Sequence, residues 1–262
     1  MNNRRKLIIA LGAGALASPF ASFSQQQAKV WRVGFLAARH IGPLDSDPFG
    51  AFPRAMRELG YIEGKNLAIE WLSAEGKYER LHELATKLVQ LKVDVIVAPG
   101  PPATGAAQKV TTTIPIVMAN SSNPVGSGFV KSLARPGGNI TGLSDLSDDL
   151  GPKQLEILLS MVPNATRVAV LVDFDNPSHA HTLKTIELAA QKIGVQIVPV
   201  QARSPQETET AFSTLARQKV GAMIVPGDAR ITPQYVQIAQ LAAKIGGRLY
   251  PADASMRRWA GC

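Results

Sequence analysis

The chain has 262 residues, of which 45% are hydrophobic and 18% charged, a composition too apolar and too weakly charged for a disordered protein. Its formal net charge is +8, but the basic residues after residue 30 are scattered, and no basic stripe interleaved with aromatic residues indicates nucleic-acid binding. The one cysteine, Cys262, is the last residue, which excludes a disulfide framework, a cysteine-based zinc site and a catalytic cysteine in a folded pocket.

The chain begins with the pattern of a secretory signal. Residues 1–6 are basic, residues 7–17 are apolar, and small or polar residues follow. We expect cleavage after residue 24 and export to the periplasm, and the pair Arg4 and Arg5 leaves a twin-arginine route open. An uncleaved N-terminal membrane anchor is the alternative, although the apolar run is short for a bilayer span.

From Trp31 onward, short β-branched apolar runs alternate with amphipathic segments, which is the pattern of βα units around a parallel sheet. In the segment 78–91, for example, leucines recur at steps of three and four residues while charged residues take the opposite face. We expect strands at 31–37, 66–72, 93–98, 115–118, 139–143, 166–172, 195–200, 221–225 and 248–250. We expect helices at 48–59, 78–91, 102–110, 126–133, 149–161, 177–193, 205–217 and 232–245.

This strand–helix series occurs twice, with a segment rich in Gly, Pro, Asp and Ser, residues 134–152, between the two copies. We therefore predict two Rossmann-like α/β lobes with parallel sheets, residues 25–143 and 144–262, joined by a hinge and preceded by a signal peptide at 1–24. Two such lobes create a cleft at the carboxyl ends of their strands, where helix N-termini suit an anion.

Known enzyme signatures are absent from the sequence, including the glycine-rich dinucleotide and phosphate loops and the zinc-protease, hydrolase and redox motifs. His179 and His181 are two apart, so they point in different directions on a helix, and we expect a structural surface role for them. Asp173 and Asp175 follow a strand, where their simplest role is to shape a turn and cap the next helix. We therefore expect that the protein is not an enzyme and that it binds no metal and no cofactor.

Five strand-to-helix loops carry the Gly, Pro, Asn, Asp and Ser residues that allow a close approach of backbone to a ligand. Each loop alone is also consistent with an ordinary capped turn. Because all five are expected at one edge of the sheets, together they indicate a ligand site. The loops are 38–47, 99–104, 119–124, 173–177 and 226–229.

Two stretches are specific enough to suggest a family. Residues 113–117 (TIPIV) and 132–142 (SLARPGGNITG), supported by shorter motifs at 34–36, 59–67 and 93–97, resemble periplasmic substrate-binding proteins of ABC transporters. The resemblance is to the group that includes tryptophan-, tyrosine- or phenylalanine-binding members, and it extends from residue 31 to about residue 244.

This resemblance implies a type I periplasmic binding fold and a monomer that binds a small, amino-acid-like or carboxylate ligand and delivers it to an ABC permease in the inner membrane. It also implies that loop 100–104, Ser121 and Ser122 bind a ligand carboxylate through backbone N–H and hydroxyl groups, and that Asp228 pairs with an ammonium group. The expected ligand-binding residues are Ala38, Gly100, Pro101, Pro102, Ala103, Ser121, Ser122, Asn123, Thr141, Asp173, Asn176 and Asp228.

The sequence departs from the family pattern in ways that leave the ligand class open. Asn123-Pro124 stands where Asp-Pro is usual, and Pro101 stands where a hydroxyl residue is common. The relatives continue beyond this length, so we expect an incomplete second lobe and a departure from the family after Gly246, through a frameshift or premature stop. A periplasmic sensor that signals to a partner protein, a non-functional truncated copy and an enzyme remain as alternatives.

Overall fold

The computed structural model describes residues 29–145 and 147–251, so the predicted signal peptide lies outside the described residues. The strands in them are β1 (Trp31–Ala37), β2 (Leu67–Ser73), β3 (Val95–Pro99), β4 (Ile116–Asn120), β5 (Ile140–Gly142), β6 (Arg167–Val172), β7 (Gln196–Gln201), β8 (Ala222–Val225) and β9 (Arg248–Pro251). The helices are α1 (Ala51–Glu58), α2 (Leu81–Gln90), α3 (Pro101–Val110), α4 (Gly151–Met161), α5 (Pro177–Lys192), α6 (Pro205–Arg217) and α7 (Tyr235–Lys244).

The strands form two separate sheets whose neighbours all pair in parallel. The first sheet has the order β2-β1-β3-β4-β5 and the second has the order β7-β6-β8-β9. We call the first sheet with α1–α3 the first lobe, and the second sheet with α4–α7 the second lobe. The predicted α/β class with parallel sheets is confirmed.

In the first lobe, both faces of the sheet are covered, which explains why its strands are apolar on both faces. On one face, Leu36 packs with Leu88 of α2 and with the alanines of α3. On the other face, the Phe35 ring lies 4.5 Å from the Trp71 ring and 5.0 Å from the Phe49 ring, measured between centroids. Phe49 is thereby held at the end of the loop that follows β1.

The second lobe is built in the same way around β6. Its successive residues face opposite sides of the sheet: Val170 packs with Ile186 of α5, and Leu171 packs with Phe212 of α6. These side chains are almost fully buried. The continuous apolar run of β6 therefore serves two cores at once.

The predicted strands all begin and end within two residues of the observed ones. Three helices that we predicted from residues 48, 78 and 232 begin as short 3-10 turns, at 48–50, 78–80 and 232–234. The predicted lobe boundary at residues 143 and 144 stays a prediction, although β5 ends the first sheet at Gly142 and α4 already packs against α5 of the second lobe.

The predicted helix at 126–133 is wrong. Asn123 Oδ1 accepts a hydrogen bond from the Gly126 N–H at 2.9 Å, and Gly128 has a φ of +74°, so this segment is a chain of turns. Phe129 is buried in the first core and its N–H donates to the Pro124 carbonyl at 2.9 Å. Two glycines disfavour a helix here, and the apolar residues that suggested one anchor the turns instead.

Candidate functional site

A cavity of about 400 Å³ lies between the two lobes and is lined by residues of both. The first lobe contributes the end of β1, the loop after it and the segment from β3 into α3. The second lobe contributes the loop after β6 and the loop between β8 and α7. The lining residues are Ala38, Arg39, Phe49, Tyr78, Pro99, Gly100, Pro101, Pro102, Asn120, Asn176, Gly227, Asp228, Ala229, Thr232 and Pro233.

Six of the twelve predicted ligand-binding residues line this cavity. They come together there because the carboxyl ends of parallel strands from both lobes face the same space. They are Ala38, Gly100, Pro101, Pro102, Asn176 and Asp228.

The other six predicted residues lie elsewhere. Ala103 is buried in the first core, Thr141 is exposed on β5, and Asn123 caps the turn at Gly126. Ser121 is fully buried, and its hydroxyl has no hydrogen-bond partner among the residues that the structure describes. Ser122 is half-buried outside the cavity lining, and Asp173 is buried behind the second-lobe wall.

The loop at the start of α3 offers few donors to an anion. Pro101 and Pro102 carry no N–H. The Gly100 N–H donates to the Asn120 carbonyl at 3.1 Å, and the Thr104 N–H donates to the Gly100 carbonyl at 3.1 Å. Of the backbone N–H groups in loop 100–104, only that of Ala103 is therefore left for a ligand, contrary to our expectation of a backbone carboxylate site.

Asp228 is the buried carboxylate of the second-lobe wall. Its Oδ2 accepts from the Tyr78 hydroxyl at 2.8 Å and from Asn176 Nδ2 at 2.8 Å. Its Oδ1 accepts from the backbone N–H of Arg230 at 2.7 Å and from that of Ile231 at 3.3 Å. Asp228 therefore caps its own loop and also reaches across to the first lobe.

Arg230 crosses the cavity edge in the same direction. Its Nε donates to the Gly76 carbonyl at 2.8 Å, its Nη2 lies 3.1 Å from Glu79 Oε2, and its guanidinium carbon lies 4.0 Å from the Tyr78 ring centroid. We call these contacts and the Tyr78–Asp228 hydrogen bond the closing contacts. They join the lobes directly.

On its own lobe, Arg230 neutralises two carboxylates. Its Nη1 lies 3.0 Å from Asp173 Oδ2 and 2.7 Å from Asp175 Oδ2. Burial raises the pKa of Asp173, and the charge of Asp228 adds to this, while Arg230 opposes it. Burial and the neighbouring Asp228 carboxylate also raise the pKa of the Tyr78 hydroxyl, which therefore remains a hydrogen-bond donor.

His179 lies beneath this cluster, so the surface role predicted for it is wrong. It is 2% exposed, and its Nδ1 accepts from the Asp173 N–H at 2.8 Å. The ring hydrogen is therefore on Nε2, which lies 3.8 Å from Asp228 Oδ2 and, within the described part of the chain, has no hydrogen-bond partner. His181 is partly exposed and points to Asp149.

On the first-lobe wall, Arg39 is held by Asp47. Its Nη1 and Nη2 donate to the two carboxylate oxygens at 2.8 and 2.6 Å, and its guanidinium carbon lies 3.8 Å from the Phe49 ring centroid. Asp47 also accepts from the N–H groups of Gly42 and Phe49. The hydrogen bond from Arg39, followed by these backbone bonds, lowers the pKa of Asp47 well below its usual 3.8 despite its burial.

Replacing Asp47 with asparagine is expected to destabilise the protein by about 2 kcal/mol at pH 7, because charge-assisted hydrogen bonds are lost. The wild-type contribution is complete above pH 3.8 and is lost as the pH falls through the lower folded-state pKa. The stability difference between the two proteins should therefore shrink below about pH 4, as measured by urea unfolding across pH. The exposed neighbour substitution Asp45→Asn is the control and should have little effect. A pH-independent difference for Asp47→Asn would contradict this interpretation.

A larger groove of about 510 Å³ lies at the outer edge of the second lobe, between β7 and α6. All its lining residues come from one lobe, and none of the predicted site residues is among them. In the described residues, no three His, Cys, Asp or Glu side chains are grouped to hold a metal ion. A second space of about 460 Å³ is also lined by both lobes, but Pro102 is the one predicted site residue in its lining. The 400 Å³ cavity has six of them, so it is the candidate site, and we keep the name inter-lobe cavity for it.

The predicted site residues did not include Arg39, Phe49 and Tyr78, which line the cavity, or Arg230, which joins the two lobes beside it. Arg39 lies inside the predicted loop 38–47, and Arg230 directly follows the predicted loop 226–229. Tyr78 was assigned to the start of an amphipathic helix. The exposed Phe174, in the loop after β6, does not line the cavity.

Known proteins resemble this chain in sequence and in fold. The family model described as "ABC transporter substrate binding protein" matches residues 47–261. The match includes residues 247–261, against our expectation that the sequence leaves the family after Gly246. A curated tyrosine-binding protein from Clostridioides difficile is 32% identical over 165 residues, which cover 63% of this chain and 47% of the relative. The alignment therefore spans about half the length of that relative.

Solved structures share the fold. A conserved domain protein from Vibrio cholerae has a TM-score of 0.79 and 26% identity, over 88% of this chain and 76% of its own. An ABC domain from Streptococcus pneumonia, solved in complex with L-Trp, has a TM-score of 0.76 and 23% identity, over 86% of this chain and 75% of its own. At 23% identity the second likeness shows the fold alone.

Proposed function

Because the chain belongs to the ABC transporter substrate-binding protein family, we propose that it binds a small ligand in the inter-lobe cavity and delivers it to an ABC permease in the inner membrane. The observation that supports this most directly is that both lobes line one cavity and touch each other at its edge. A ligand that contacts both walls stabilises the closed arrangement more than an open one. In this proposal the protein is a monomeric carrier of a small solute and catalyses no reaction.

Export to the periplasm is part of the same proposal. It rests on the basic and apolar segments at residues 1–17, which lie outside the described residues. Within the part of the chain that the structure describes, no helix is long and apolar enough to cross a membrane.

A thermal-shift screen of the full chain against amino acids, aromatic acids, purines and short carboxylates tests the proposal. A ligand at 100 times its dissociation constant should stabilise the folded protein by about 2.7 kcal/mol. For a chain of this size, that corresponds to an increase in Tm of about 5 to 10 °C.

Two matched variants locate the binding. Ala229 lines the cavity, so Ala229→Trp should fill it and remove the shift. Ala180 is exposed on α5 outside the lining, so Ala180→Trp should leave the shift unchanged. A shift that survives in Ala229→Trp would place binding elsewhere, and a chain that no compound stabilises would argue against a solute carrier.

A further inference from the structure

We propose that Asp228 closes the two lobes and does not bind the ligand, and that the ligand of this cavity is a ring compound without an ammonium group. This inference rests on the proposed function, because it names the class of ligand that the cavity selects. It is opposite to the role that the family resemblance implied for Asp228.

The Asp228 carboxylate has no hydrogen-bond acceptor site left for a ligand. A carboxylate has about four lone-pair sites. All four are used by protein donors: the Tyr78 hydroxyl and the Asn176 amide on Oδ2, and the N–H groups of Arg230 and Ile231 on Oδ1. In addition, His179 Nε2 lies 3.8 Å from Oδ2. An ammonium group would have to displace one of these donors.

Displacing a donor from Asp228 is unfavourable in free energy. The donors on Oδ1 are backbone groups of the Asp228 loop itself. An ammonium group could therefore displace only the side chains of Tyr78 or Asn176 from Asp228. Both line the cavity. Displacing Tyr78 breaks a contact between the lobes and leaves its part-buried hydroxyl without its acceptor, which is unfavourable. An ammonium at Asp228 would therefore oppose closure, whereas a carried solute must favour it.

Among its lining residues, the cavity offers a cation no second carboxylate. Among the lining residues, the charged side chains are Asp228 and Arg39. Arg39 repels an ammonium. Three of its five N–H donors have hydrogen-bond partners in Asp47 and the His40 carbonyl, so the others could bind a carboxylate or a carbonyl oxygen.

The remaining lining residues suit a flat, apolar ligand. Phe49 and Tyr78 present rings, and Pro99, Pro101 and Pro102 present apolar surface without N–H groups. Asn120 supplies an amide at the end of β4. The geometry thus fits an uncharged or carboxylate-bearing ring compound.

Calorimetric titration with four compounds of one ring type tests this. Hydrocinnamate is an anion, hydrocinnamamide is uncharged, phenethylamine is a cation and L-phenylalanine is a zwitterion. We expect the two compounds without an amine to bind at least about tenfold more tightly than the two with one. Tighter binding of L-phenylalanine or phenethylamine would overturn the inference and leave the proposed function intact.

The variant Asp228→Asn separates the two roles of the carboxylate. If Asp228 only closes the lobes, this variant should weaken every compound that binds by a similar factor. A loss confined to the amine-bearing compounds would show direct pairing with the ammonium group and overturn the inference.

Closure without ligand provides a readout that does not depend on the compounds. By small-angle X-ray scattering, the ligand-free wild type should be more compact than Tyr78→Phe, which lacks the hydroxyl that reaches Asp228. The control Tyr61→Phe changes a tyrosine outside the cavity and should match the wild type. A ligand-free wild type as open as Tyr78→Phe would refute the closing role, even if no compound in any screen binds and the proposed function fails as well.

Discussion

Replacing Arg230 with glutamine is expected to destabilise the second lobe and open the inter-lobe cavity. The Arg230 side chain is 10% exposed and pairs with Asp173, whose side chain is fully buried. Removing one partner of a buried ion pair leaves an uncompensated charge, which costs about 3 kcal/mol or more. At this chain size, Tm should fall by about 6 to 12 °C. The scattering radius of the ligand-free protein should also increase, because the bonds to Gly76 and Glu79 are lost.

The pH dependence of this loss has a defined sign. Burial already raises the pKa of Asp173, and without Arg230 it should rise further. A carboxyl with a raised folded-state pKa destabilises the folded protein once the pH exceeds the unfolded-state value. The deficit of Arg230→Gln should therefore be largest at neutral pH and smaller in acid.

A double-mutant cycle identifies the cause. Adding Asp173→Asn removes the stranded charge, so the double variant should recover much of the stability that Arg230→Gln loses. The matched control is Arg217→Gln, at the exposed end of α6, where the side chain donates to the Thr214 hydroxyl at 3.3 Å. If Asp173→Asn gives no recovery, the Arg230–Asp173 pair does not account for the loss.

Replacing Gly142 with alanine is expected to disrupt the edge of the first sheet. Gly142 ends β5 with a φ of +141°, a conformation that side-chain-bearing residues rarely adopt. An added Cβ would overlap the Met118 carbonyl oxygen, which also accepts the Leu143 N–H at 2.9 Å. Since the obstacle is backbone, it cannot move away as a side chain could. We expect a loss of about 3 kcal/mol or more, combining backbone strain with the broken pairing.

Gly138 provides the matched control for this substitution. It lies four residues earlier, its φ is not in the positive range, and an added Cβ would have no atom within 4 Å. Gly138→Ala should therefore change the free energy of unfolding by less than about 1 kcal/mol, and could increase it slightly. Urea unfolding of both variants makes the comparison. Equal effects would mean that the contact with Met118 is not what makes Gly142 necessary.

Local patterns were sufficient to predict most of the fold. A strand buried on both faces, such as β6, has a continuous run of apolar residues in the sequence. An amphipathic helix such as α2 has apolar residues at steps of three and four, which the sequence also shows. The helix predicted at 126–133 was wrong because this segment forms turns that place its apolar residues, Phe129 and Val130, in the core. Apolar spacing over so short a segment does not distinguish a helix from a turn that a core holds in place.

The sequence by itself determined that loops at the strand ends would surround a cavity, because parallel βα units place all those loops at one edge. It also identified Asn176 and Asp228 as part of that cavity. Only the tertiary structure decided what these residues contact. The Tyr78–Asp228 hydrogen bond joins residues 150 positions apart, and the Arg230–Gly76 bond joins residues 154 apart. Neither the periodicity nor the spacing of residues in the sequence predicts such pairings, because they depend on how two separately folded lobes face each other.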